Sequence, residues 1–125
     1  MGYIVDATKN SPKVSFDTDT LHFEISGRSM PENTRKFYDP IVGWIKGFSP
    51  DNGSKITLKI DLNYLNTSST IALLEMLKEL GRFAENGCTL EVFWHYEEYD
   101  EDMKMIGEDI SSISELNFQY IEEPA

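Results

Sequence analysis

The residues of this chain best suited to chemistry are five consecutive small polar ones, Asn66-Thr67-Ser68-Ser69-Thr70. Four carry hydroxyls, and none is charged. They stand between a segment that alternates apolar with polar and a segment of helical periodicity. A hydroxyl at such a junction lies beside the free backbone N–H groups and positive dipole end of a helix start. A phosphate placed there is physically tolerable and adds about -1.5 to -2 charge at one surface point. The competing use is simpler. Asn, Thr and Ser are the favoured N-caps, and a polar junction can serve only to start a helix. One cap suffices for that purpose, and this stretch offers five candidates.

Other chemistry has less to stand on. The two histidines, His22 and His95, fall at polar positions of alternating segments, and no His-x-x-x-His or Cys-x-x-Cys spacing exists. The run from His95 to Asp102 is rich in carboxylates but lacks the glycine and the one-in-two spacing of a calcium loop, so an acidic surface turn is expected. Cys88 is expected inward, as a small hydrophobe rather than a reactive thiol. There is no G-x-S-x-G elbow and no glycine-rich phosphate loop, and nothing singles out one pair among the many carboxylates. The expectation is no enzyme, no metal and no cofactor.

The elements that must position the junction are legible on either side of it. In Lys55–Leu65, Ile56, Leu58, Ile60, Leu62 and Tyr64 alternate with Thr57, Lys59, Asp61 and Asn63, the period of a half-buried strand. Behind the junction Leu73, Leu77, Leu80 and Ala84 recur at helical spacing, with Ile71 and Leu74 widening the stripe. Asn86-Gly87 supplies a left-handed stop. Strands are also expected at Thr20–Ser26 and Cys88–Tyr96, and weaker ones at Tyr3–Ala7, Val14–Phe16 and Asn117–Ile121. Ser29-Met30-Pro31-Glu32 has the spacing of a capping box for a helix carrying Phe37, Ile41, Trp44, Ile45 and Phe48. Pro40 should kink or break that helix. A last helix would bury Met103, Ile106, Ile110 and Ile113.

Because the main strands alternate rather than read as continuous apolar runs, helices should cover one sheet face and leave the other wet. The fold class is therefore α/β: a one-sided mixed sheet of about 4–6 strands with about 3–4 helices on one face. Strand–helix–strand order makes 55–65 and 88–96 parallel neighbours through a right-handed crossover.

At 125 residues, with 40% hydrophobic and 26% charged residues, a single domain over 1–125 is expected. The lone cysteine excludes an internal disulfide, no apolar run reaches a membrane span, and no signal opens the chain, so a cytoplasmic address fits. The net charge of -11 is unevenly spread. Residues 1–90 hold 11 acidic and 10 basic residues, whereas 91–125 hold 11 acidic residues and only Lys104. That end repels phosphate backbones and anionic lipid, which argues against nucleic-acid and membrane-surface roles. It is either a solvated face that aids solubility or a surface for a basic protein partner.

Three stretches in order resemble the SiaC family of bacterial regulatory phosphoproteins, single domains similar to the STAS domains of anti-anti-sigma factors. They are Ile25-Ser-Gly-Arg-Ser-Met-Pro-Glu-Asn33 with Phe37, Tyr38 and Trp44; Leu65-Asn-Thr-Ser-Ser69; and Trp94-His-Tyr96 with the acidic turn and Gly107-Glu108-Asp109. The resemblance implies that Thr67 is the phosphoacceptor, served by a dedicated Ser/Thr kinase and an opposing PP2C-type phosphatase. It also implies that the unphosphorylated form activates a diguanylate cyclase, linking the switch to cyclic di-GMP and biofilm behaviour. Beside Asn66, Ser68 and Ser69, the segment Pro31, Glu32 and Asn33 is expected at the same sheet edge as part of the surface that partners read, unless Ser29 and Glu32 only cap their helix. Two other readings compete: a constitutive STAS-like interaction scaffold without phosphorylation, and a small hydrolase using unidentified carboxylates.

Overall fold

The computed structural model describes residues 2–125. Six strands and three helices follow in chain order: β1 (Gly2–Val5), β2 (Lys13–Asp17), β3 (His22–Ser29), α1 (Thr34–Gly47), β4 (Lys55–Leu65), α2 (Thr67–Glu85), β5 (Thr89–Glu97), α3 (Glu101–Ser114) and β6 (Phe118–Glu123). They form one sheet whose spatial order is the sequence order, β1-β2-β3-β4-β5-β6. The first three strands pair antiparallel, and β3 to β6 run parallel. The three parallel connections step in one direction, and the right-handed rule for such crossovers puts all three helices on one face.

The covered face is the core. Phe16, Phe23, Ile25, Ile56, Leu58, Ile60, Val92 and Trp94 point into it with at most 1% exposure, and each such side chain contributes about 1.5–3 kcal/mol by leaving water. Phe16 and Phe23 stack at 4.6 Å under Trp44 of α1, which itself stacks on Phe48 at 5.1 Å. On the opposite face lie polar side chains such as Glu24, Lys59, Asp61 and His95. The one-sided α/β sandwich is the observed architecture.

Several local expectations need correction. Helix α1 is capped by Asn33, whose side chain accepts from Lys36 N at 3.1 Å, and not by Ser29. Ser29 instead ends β3, fully buried. Pro40 does not break α1, which runs unbroken from Thr34 to Gly47. It sits exposed on the outer side, where the carbonyl it leaves unpaired can be hydrated, while Tyr38, Ile41 and Ile45 hold the helix from within.

The alternation of β4 also fails before its end. Leu62 faces Gly27 and Tyr64 faces Arg28, so Asn63 is an extra residue and the register shifts there. This bulge turns Tyr64 outward, under the Arg28 guanidinium at 5.2 Å, and turns Leu65 inward. In α2 the buried stripe runs through Ala72, Leu73, Met76, Leu77 and Leu80, leaving Ile71 and Ala84 exposed. Ile113 of α3 is exposed as well, and Cys88 is half-buried just ahead of β5. Gly87, at φ +95°, ends α2 in the left-handed conformation that its sequence suggested.

Candidate functional site

The bulge in β4 sets up the junction that follows it. With Leu65 turned inward, Asn66 becomes the N-cap of α2, and its side chain accepts from Ser69 N at 2.8 Å. The Asn66 carbonyl accepts from both the backbone N–H and the hydroxyl of Thr70, at 3.0 and 3.1 Å. Asn66 N–H donates to the Ser29 carbonyl at 3.1 Å, tying the end of β3 to the start of α2. The cap is therefore complete without Thr67 or Ser68. Both are exposed, and neither side chain hydrogen-bonds to another described residue.

Below them lies a buried hydroxyl cluster from three elements. Ser29 Oγ and Tyr38 Oη are 2.6 Å apart, and burial pushes the Tyr38 phenol up. Ser69 Oγ is fully buried and close enough to influence that phenol, yet it makes no well-formed hydrogen bond. The Ser29–Tyr38 contact ties α1 to the end of β3 beside the start of α2. Ser69 is thus part of the buried cluster, whereas Thr67 and Ser68 face solvent.

Electrostatics at the junction favour an anion. The first turn of α2 contains no acidic residue, whereas α3 fills its own first turn with Glu101 and Asp102. The N–H groups of Thr67 and Ser68 precede the first intrahelical bonds and are free to donate. Beside them, a groove of about 220 Å³ between α1 and α2 is lined by Thr34, Arg35, Asp39, Ser68, Ile71 and Glu75, among others. Ile71 is 58% exposed there. Arg35 stands between Asp39, at 3.4 Å, and Glu75, at 4.0 Å.

Pro31, Glu32 and Asn33 lie in the β3–α1 connection, at the same end of the parallel strands as Asn66. They line a wider, open cleft shared with Thr8 and Asn10 rather than the groove that holds Ser68. Asn33 is occupied as a cap, and Glu32 is exposed.

Sequence spacing missed one constellation on the open face. Asp61, His95 and Glu123 come from β4, β5 and β6, and one potential ligand atom of each lies within 4.8 Å of the others. Burial first, and then the nearby Glu123 carboxyl, push the Asp61 carboxyl above the ordinary carboxylate range. No motif search could find three residues so far apart. The polar phase of 55–65 and 88–96 places Asp61 and His95 on one face, and only the strand register makes them neighbours.

Fold and junction together define a class: a small one-sided α/β domain presenting two helix starts and a short groove at one sheet edge. The chain belongs to the SiaC family of regulatory phosphoproteins, whose family model matches residues 5–123. Its fold matches a chain from the crystal structure of diguanylate cyclase SiaD in complex with its activator SiaC from Pseudomonas aeruginosa, with a TM-score of 0.84 at 24% identity, over 98% of this chain and 99% of that one. Apo-SiaC from the same organism matches with a TM-score of 0.82 at 23% identity, over 98% of each chain. An uncharacterized Pseudomonas aeruginosa protein is 27% identical over 105 residues, 84% of this chain and 83% of that protein. No described helix is long and apolar enough to cross a membrane.

Proposed function

We propose that this chain is a non-enzymatic phospho-switch of the cytoplasm, with Thr67 as the phosphoacceptor. A Ser/Thr kinase transfers the γ-phosphoryl group of a nucleotide to Thr67 Oγ1, and the hydroxyl proton passes to the kinase's base. A PP2C-type phosphatase returns the hydroxyl by hydrolysis, releasing inorganic phosphate. The chain supplies the acceptor and the recognition surface. Its unphosphorylated form docks on a diguanylate cyclase, as the resemblance to the activator SiaC suggests, and so acts on cyclic di-GMP and biofilm behaviour.

The observation that carries the reading is the division of labour at the junction. Asn66 completes the cap, so the exposed Thr67 hydroxyl has no structural task in the helix start. Phosphorylation there brings charge next to Ser68, which lines the α1–α2 groove where a partner's apolar contact with Ile71 would otherwise form. Charge added there vetoes one contact and can favour another.

Intact mass with site mapping, on protein purified from its own host, tests the acceptor. A phosphoryl increment located at Thr67 and lost in Thr67→Ala is expected, with Thr67→Ala and Thr67→Glu differing in partner capture. A chain unmodified across growth conditions, with both variants binding partners alike, would favour the constitutive scaffold instead.

A further inference from the structure

The open sheet face carries a side-chain cluster that the switch does not use. Asp61 and His95 are direct neighbours in the parallel register of β4 and β5. Glu123 lies on β6, two residues beyond the partner of His95, and its Oε2 is 3.3 Å from His95 Nδ1. The cluster is recessed, with the His95 side chain 16% exposed and that of Glu123 34%.

We propose that Asp61, His95 and Glu123 form a binding site for a first-row divalent cation, Zn²⁺ foremost. One imidazole nitrogen and two carboxylate oxygens suit such an ion. Imidazole selects against Mg²⁺ and Ca²⁺, which prefer all-oxygen shells. Ligands about 2.0–2.1 Å from a tetrahedral zinc lie roughly 3.4 Å from one another, close to the separation already present between His95 and Glu123. The remaining ligand atoms lie within 4.8 Å, a gap that small rotations about their terminal torsions can close.

Charge balance points the same way. Two carboxylates converge on a recess, close enough to hydrogen-bond to each other, with the His95 imidazole beside both and Lys59 bearing on Asp61 only through its field. A divalent ion neutralises both carboxylates at once, which neither a single proton nor a single ammonium can do. The acidic turn that follows β5 is a poorer host, because Asp100 is engaged as the cap of α3, accepting from Met103 N at 3.1 Å. Bound at the recess, the ion would cross-link three adjacent strands and fasten β6, which pairs only with β5.

The test is calorimetric titration of the untagged, chelator-treated full chain with Zn²⁺, repeated with Co²⁺ and read by its visible d–d absorption. One saturable equivalent is expected, with affinity falling about tenfold or more in His95→Gln, in Asp61→Asn and in Glu123→Gln. His22→Gln, on the same face at β3, should bind as wild type does. Hydrogen exchange gives a second readout: Zn²⁺ should slow the amides of Phe118–Glu123, and His95→Gln should abolish that protection. Circular dichroism establishes that each variant is folded. The site is wrong if no saturable binding occurs below millimolar Zn²⁺, or if folded His95→Gln and Asp61→Asn bind undiminished, which would place the ion on the acidic turn.

Discussion

Asn66 and Thr67 are adjacent, similar in size and polarity, and opposite in role. Asn66 holds four hydrogen bonds that join β3 to α2 and close the first turn. Thr67 holds none through its side chain. Asn66→Ala should therefore lower stability by about 1 kcal/mol, the usual worth of a cap. Thr67→Ala should stay within about 0.5 kcal/mol of wild type, as exposed substitutions do. Denaturant titration of both variants measures the contrast, and equal losses would mean that the hydroxyl is structural after all. The hydroxyl run was visible in the sequence, but its division of labour was not. Five neighbouring residues could each have capped the helix, and only the backbone path after the bulge decides which one does. Ser29 is a similar case: its spacing to Glu32 fits a capping box, yet it is drawn into the core by the Tyr38 hydroxyl.

At the level of elements, α3 shows how close packing explains a residue that periodicity cannot. Gly107 is buried in mid-helix, where glycine costs about 1 kcal/mol relative to alanine. A Cβ at that position would lie 2.5 Å from Trp94 Nε1, so the indole occupies the space. The same indole donates to the Met103 carbonyl at 3.0 Å, fixing α3 on β5. Gly107→Ala should destabilise the protein by about 1–3 kcal/mol despite its better helix propensity. A gain in midpoint would show that Trp94 can move aside. Most elements could be read from periods of two and 3.6, because one face of each strand and one stripe of each helix meet the core. The departures occurred where backbone geometry overrides pattern. One extra residue in β4 reversed the facing of Tyr64, and the stripe of α2 turned slightly to bury Met76 rather than Ile71.

Across the whole molecule, charge is as unevenly distributed as the sequence indicated. The last 35 residues carry nearly all of the net charge, on β5, α3, β6 and the segments that join them. Like charges held together by the fold repel, and added salt screens them over about 10 Å at 0.1 M. Raising NaCl from a few millimolar to that level should lift the melting temperature by roughly 3–5 °C, the change expected from about 1 kcal/mol in a domain of this size. Scanning fluorimetry across a salt series checks it, and a flat or falling trend would mean that the repulsion is already relieved.

The strand order has a consequence for how this chain comes into being. Because every strand lies beside the one made just before it, no segment waits for a distant partner. Each new strand closes one turn or one helical crossover onto an edge already in place. On the ribosome the sheet can therefore grow from one side to the other at the pace of translation, as a row is laid stitch by stitch. The hydroxyl junction at Thr67 is laid down midway. Glu123 arrives with β6, so a nascent chain would acquire the Thr67 junction well before the open-face cluster is complete.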